Sequence, residues 1–147
     1  MKEIWKDIVG YEGLYKVSNK GRIMSCARVV KHPNNEFAKT QTYPERIMKL
    51  KTTKVGYKSI KLSKESIRRD YLVHCLVAQA FLPKIEGKDY VDHLDGIKSN
   101  NNVKNLEWVS IAENNQRAYD TGLKRRVHAG QFVKGFNRAT QYNNRRK

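Results

Sequence analysis

The stretch from Tyr71 to Phe81 constrains this chain most, because it must lie against a core. Leu72, Leu76 and Ala80 recur at four-residue spacing, and Val73, Val77 and Phe81 do the same one position on. Two adjacent apolar rows of that period make one broad helical stripe. Pro83 ends the helix, since proline lacks the amide proton and clashes with the preceding turn. The rest of a core has to come from short elements. Hydrophobic residues make up 39% of 147 residues, so the core is modest and the chain fits one ordinary domain or two small ones.

The chain divides into three parts. Residues 1–65 read as short strands and turns. Leu14 to Ser18 and Arg22 to Ser25 flank Asn19-Lys20-Gly21, the pattern of a hairpin with a glycine-containing loop. Residues 31–45 are polar, carry Pro33 and Pro44, and read as a loop. From Gly56 to Leu62 the pattern alternates, with Ile60 and Leu62 on one face and Tyr57, Ser59 and Lys61 on the other. In residues 66–122, the helix of 71–81 is followed by an extended Tyr90-Val91-Asp92-His93, a polar stretch, and a second short strand at Asn105 to Val109. Ser110-Ile111-Ala112-Glu113 has capping-box spacing, which predicts a helix from Ser110 to about Thr121 with Gly122 as its stop. The order is strand, loop, strand, helix. Residues 123–147 hold eight basic and no acidic residues and read as a basic tail. The fold class expected is α+β.

Lys and Arg number 30 against 14 Asp and Glu, a net charge of +16. A field of that sign draws in polyanions, and nucleic acid is the leading partner. Arg22, Lys49, Lys51, Lys54, Lys58, Lys61, Lys124, Arg125 and Arg126 are the candidate phosphate contacts. No stretch approaches the roughly 20 apolar residues a membrane-spanning helix needs, so no membrane partner is expected. The N-terminus does not resemble a secretory signal. Cys26 and Cys75 stand apart, outside any CxxC pair, and read as two buried, reduced thiols of a cytoplasmic protein.

Asp92, His93, Asn105 and Asn114 are the candidate reactive residues. With the two strands paired and the helix packed across them, Asp92 at a strand end and Asn114 in the first helical turns can point into one cleft. Neighbours on a strand face opposite sides, so Asp92 and His93 converge only if the strand bends or ends there. Phosphodiester hydrolysis needs a base for water and a cation for the developing charge. An imidazole's unperturbed pKa lies near neutrality, so His93 suits the base. Asp92 and Asn114 offer hard oxygen ligands, which suit Mg²⁺ or Mn²⁺ better than zinc. Asn105 could hydrogen-bond His93 and set its orientation. Spacing alone leaves an ordinary surface Asp-His pair open, and Asn100-Asn101-Asn102 reads equally as a polar turn.

The run from Val73-His74-Cys75-Leu76 to Phe81-Leu82-Pro83, then Val91-Asp92-His93-Leu94-Asp95-Gly96 to Asn100-Asn101, then Asn105-Leu106-Glu107-Trp108-Val109-Ser110 and Glu113-Asn114, resembles the HNH endonucleases of phage and intron homing type. Trp5, Ile8, Gly10 to Tyr15, Val17-Ser18, Gly21-Arg22-Ile23 and Ser25 resemble the companion NUMOD4 motif. The resemblance implies a small DNA-binding strand module over 1–65, a ββα-metal nuclease domain over 66–122 and a basic tail over 123–147. It also implies one divalent cation on Asp92 and Asn114, with His93 as general base and Asn105 orienting it. Asn114 is preferred to its neighbour Asn115 because it follows Glu113 directly. The implied activity is metal-dependent cleavage of double-stranded DNA by a phage-encoded monomer that nicks one strand, with a homing role as one form of it; the rival is a DNA-binding or packaging accessory without catalysis. His74 reads as structural, Asp95 and Gly96 as loop-shaping, and Trp108 as core.

Overall fold

The structure is a computed structural model that describes residues 1–30 and 40–122. The basic tail, with Lys124, Arg125 and Arg126, lies outside the described residues, as does most of the expected 31–45 loop.

The first part builds its sheets from short antiparallel strands. β1 (Trp5–Asp7), β2 (Tyr15–Ser18), β3 (Ile23–Ser25) and β6 (Arg46–Ile47) form one sheet in that order. β2 and β3 are the hairpin expected around Asn19-Lys20-Gly21, with Val17 opposite Ile23. β4 (Arg28–Val30) pairs with β5 (Gln41–Tyr43), so part of the expected loop is a strand. β7 (Lys51–Thr52), β8 (Lys58–Lys64) and β9 (Ile67–Leu72) form a third sheet. In β8 the alternation holds: Ile60 and Leu62 are buried and Lys61 is exposed.

The β8–β9 hairpin corrects one boundary. Its tight turn places Glu65 and Ser66 at positive φ, and β9 continues through Leu72. The helix therefore starts at Val73 rather than Tyr71, as α1 (Val73–Phe81). Tyr71 and Leu72 suit a strand as well as a helix, and ladder pairing to Ile60 and Ser59 claims them. The 65/66 division lies inside this turn.

After α1 come β10 (Tyr90–His93) and β11 (Leu106–Val109), antiparallel with Asp92 opposite Glu107 and His93 opposite Leu106. A single 3₁₀ turn at Val103–Asn105 leads into β11. α2 (Ile111–Asp120) follows, capped as expected: Ser110 accepts from the Glu113 amide and Glu113 reaches back to the Ser110 amide. Gly122 closes it at φ 72°.

One core serves both halves. Ile8 and Tyr11 from the turn after β1, with Tyr15, Val17 and Ile23 of the first sheet, pack with Ile60 and Leu62 of β8, Val73, Leu76 and Val77 of α1, and Leu106 of β11. α1 is the piece they share. Trp108 is buried, with the Lys84 ammonium 4.2 Å above its ring. Cys26 and Cys75 are free and half-buried, less enclosed than expected. Among the described residues no helix is long and apolar enough to cross a membrane.

Candidate active site

The β10–β11 pair and α2 are the parts the sequence predicts, and they bring His93 to the inner end of β10. His93 is buried, and its ring meets two others: the centroid of His74 is 4.9 Å away and that of Tyr57 is 6.0 Å away. Tyr57 and His74 are themselves 5.1 Å apart, which closes a three-ring cluster. α1 supplies His74 and the turn before β8 supplies Tyr57. His74 is structural in the sense expected, but it also forms a wall of the site. Its Nδ1 is buried with no hydrogen-bond partner. Burial, with a smaller push from His93, lowers its pKa to about 3, so it is a neutral ring at physiological pH.

Asp92 faces other partners. Its Oδ1 accepts the His93 amide at 2.9 Å, and Oδ2 accepts from Arg117 at 3.2 Å. Arg117 also pairs with Glu107, the residue opposite Asp92 in the ladder. The two carboxylates raise the Arg117 pKa, Glu107 more than Asp92. Arg117 lies three residues after Asn114, so both sit on one face of α2. That face is turned to Asp92. Sequence reasoning did not single out Arg117, although a basic residue one turn beyond an expected ligand on the same helix face was a readable signal.

Asn105 does not make the direct bond to His93 that the sequence allows. Its Nδ2 donates to Asp95 Oδ1 at 2.8 Å and to the Asn100 carbonyl at 2.9 Å, and its Oδ1 accepts the Asp95 amide at 3.0 Å. Its carbonyl accepts the Leu94 amide at 2.9 Å. Asn105 thus pins both ends of the loop that leaves β10. Asp95 accepts further from Asn100 and the Ile97 amide, and these bonds, Asn100 first, hold its pKa below the usual value. The contact to the His93 ring belongs to Asn101, whose Oδ1 is 3.1 Å from Nε2.

The donor set bears on which cation could sit here. As the expected ligands, Asp92 and Asn114 would offer oxygen only, and among the described residues no cluster of three His, Cys, Asp or Glu side chains could hold a metal. Two oxygen ligands do not make a closed structural zinc site, which needs four. They suit a hydrated hard cation that draws its remaining ligands from water and phosphate. Asp92 Oδ2 already carries a cationic partner in Arg117, as expected of an oxygen placed to meet positive charge.

Of the expected phosphate contacts, Lys49, Lys51, Lys54 and Lys61 are exposed and Lys58 is half-exposed. Lys61 lies 3.6 Å from Asp70, and Lys58 donates to Thr52 at 2.8 Å. Arg22 is paired with Glu3 and lies 5.6 Å from the Trp5 ring. That pairing pulls the Glu3 pKa down to about 2.

Comparison with known proteins matches both halves. The NUMOD4 motif matches residues 3–63, and the HNH endonuclease family matches residues 71–116. The DNA endonuclease I-HmuI of Bacillus phage SP01 is 36% identical over 130 residues, covering 88% of this chain and 66% of that protein. An uncharacterised HNH endonuclease of Acanthamoeba polyphaga mimivirus is 33% identical over 121 residues, covering 82% of this chain and 31% of that protein. This chain thus spans just under two thirds of the phage relative and about a third of the viral one. Among solved structures, one described as DNA binding and cleavage by the HNH homing endonuclease I-HmuI superposes with a TM-score of 0.64 at 36% identity, covering 83% of this chain and 61% of that one.

Proposed function

Because the chain belongs to the HNH endonucleases, we propose that it hydrolyses phosphodiester bonds in double-stranded DNA with one divalent cation, Mg²⁺ or Mn²⁺. The observation that carries this reading is the pairing of a buried, oriented imidazole with an oxygen-donor face beside it: His93 at the end of β10, and Asp92 under the face of α2 that bears Asn114.

His93 is the general base. An amide oxygen can only accept, so the contact from Asn101 Oδ1 selects the ring protonated at Nε2. Nδ1 then holds the lone pair that takes a proton from water. Asp92 and Asn114 would hold the divalent cation, which when bound supplies stabilisation for the charge developing on the phosphate and the departing oxygen. Asn105 acts on the loop after β10, through Asp95 and Asn100. Tyr57 and His74 exclude water from the inner side of the imidazole.

Residues 1–65 contribute a phosphate-binding surface, with Lys49, Lys51, Lys54 and Lys61 exposed upon it. Residues 66–122 carry the cleavage centre, and the basic residues of 123–147 add charge. One such centre in a monomer cuts one strand at a time. A homing role would follow from a defined target site.

The deciding experiment is plasmid nicking with Mg²⁺ or Mn²⁺ against an EDTA control, with His93→Ala alongside. Nicking that needs the metal and falls by about 10²-fold or more in His93→Ala supports the reading, given the usual contribution of a general base. Full activity in that variant removes His93 as the base. DNA binding without nicking under any metal leaves the accessory-protein reading in its place.

A further inference from the structure

The His93 ring is held by a residue outside the candidate set of Asp92, His93, Asn105 and Asn114, and that residue is seated by the first part of the chain. Asn101 is only 4% exposed, and its Oδ1 is the contact to His93 Nε2. Behind Asn101 lies the turn between β2 and β3. A Cβ at Gly21 would fall 2.6 Å from the Asn101 Cβ and 3.0 Å from its carbonyl oxygen, so only glycine allows this approach, at a φ of +80°. Next to it the Val103 amide donates to the Asn19 carbonyl at 2.9 Å. Asn19 is itself buried and tied down, its Oδ1 accepting the Ile4 amide at 3.0 Å and its Nδ2 donating to the Lys2 carbonyl at 3.1 Å.

A second turn grips the same loop. Lys98 Nζ donates to the Val55 carbonyl at 3.1 Å and lies 5.0 Å from the Tyr57 ring, which in turn stands against His93. The loop between β10 and β11 is therefore clasped from two sides by turns belonging to the strand-rich first part.

We infer that Asn101 is a positioning residue for His93, and that the Asn19-Lys20-Gly21 turn acts through it to keep the imidazole in its Nε2-protonated tautomer. The strand-rich part is then a component of the cleavage centre as well as a DNA-contact surface. This inference rests on the reading of His93 as the base. The contact itself can be tested without that reading.

The test uses the full chain, ¹⁵N-labelled at histidine, with long-range ¹H–¹⁵N spectra to read the His93 tautomer. Single-turnover cleavage with Mg²⁺ and DNA affinity are measured on the same variants. Asn101→Leu keeps the volume and removes the acceptor; Asn101→Asp keeps both shape and acceptor. In the unsubstituted chain His93 should be protonated at Nε2. Asn101→Leu should lose that preference and cleave on the order of 10–100-fold more slowly, with DNA affinity within about twofold. Asn101→Asp should restore the tautomer and most of the rate. Gly21→Ala should shift the tautomer in the same direction. Gly13→Ala is its control, because Gly13 has a similar φ of +71° and no neighbour within 4 Å of a Cβ, so it carries the backbone strain without the push.

A wild-type tautomer and rate in Asn101→Leu overturns the inference. Should that variant not fold, equal behaviour of Gly21→Ala and Gly13→Ala overturns it, and a shift confined to Gly21→Ala supports it. If His93→Ala cleaves at full rate, the base assignment falls, while the spectra still decide whether Asn101 orders the ring.

Discussion

The two helices of this fold are held in opposite ways. α1 buries Val73, His74, Leu76, Val77 and Ala78, has no side-chain cap at Leu72, and carries no acidic residue in its first turn. α2 has no fully buried residue, and its order comes from the capping box at Ser110, the Lys88–Glu113 pair and the Arg117 bridge to Asp92 and Glu107. Lys88 and the capping amide together lower the Glu113 pKa to about 2. One wall of the site, His74 against His93, is therefore set by core packing. The other, the Asn114 face, is set by polar contacts of modest strength. On the proposed reading, the packed wall would hold the base in position, while the polar wall would present the oxygen ligands.

The largest expected effect falls on the packed helix. Leu76→Ala should cost about 2–5 kcal/mol, the loss of transfer energy plus the cavity it leaves. Ile111→Ala, on an α2 position that is 59% exposed, should stay within about 0.5 kcal/mol. Urea denaturation of both variants checks the contrast, and similar losses would break it.

Acid should act next, through His74. Its pKa in the fold is about 3 against an ordinary 6.5, so the unfolded chain takes up a proton that the folded chain refuses. The associated stability is present above pH 6.5 and is lost as pH falls toward 3, at about 1.4 kcal/mol per pH unit at most. Glu3 and Glu113 add acid sensitivity only below their ordinary 4.5. The window from 6.5 to 4.5 thus isolates the histidine. Urea melts at pH 7 and pH 5 should differ by about 2 kcal/mol, and His74→Phe should flatten that slope. An unchanged slope would mean that the core around α1 admits charge.

The same contrast explains what could be read in the sequence. α2 was legible to its caps, because Ser110, Glu113 and Gly122 act on their own backbone within a few residues. β10 and β11 were legible as short runs bounded by polar loops. The helix start was not, since Tyr71 and Leu72 fit either element and only pairing with β8 decides. Asn101 read as one asparagine in a polar turn because its importance comes from Gly21, far from it in sequence, and from a contact to His93 that only the folded loop makes. Asn105 was named as a candidate with His93 as its partner, whereas it bonds Asp95 and Asn100, because hydrogen bonds of a folded loop leave no local signature. Asp92 and Asn114 were candidates from spacing and ligand chemistry, strengthened by resemblance, whereas the Arg117 contacts to Asp92 and Glu107 appear only in the folded geometry.

Ser110→Ala tests the polar helix directly. Loss of the cap should cost about 1 kcal/mol, read by thermal denaturation. If α2 is the adjustable wall, the DNA concentration for half-maximal cleavage should rise more than the His93 tautomer moves. A full loss of fold would make α2 as rigid a part of the core as α1.

A small effect on stability, and the sharpest test of the adjustable wall, is expected of Arg117→Met. Both its ion pairs are part-exposed, with the Arg117 side chain at 42%, so screening keeps their net worth below about 1 kcal/mol. The electrostatic consequence is more specific. Arg117 occupies Asp92 Oδ2, so on the proposed reading a divalent cation at Asp92 would have to displace a guanidinium that Glu107 keeps close by. Removing the guanidinium removes that competition. Mn²⁺ affinity, followed by electron paramagnetic resonance in the absence of DNA, should therefore tighten by several-fold in Arg117→Met, and Asp92→Asn should abolish the gain. Weaker Mn²⁺ binding in Arg117→Met would show instead that the arginine holds Asp92 in place. In that case the α2 face would be as preorganised as the histidine cluster opposite it.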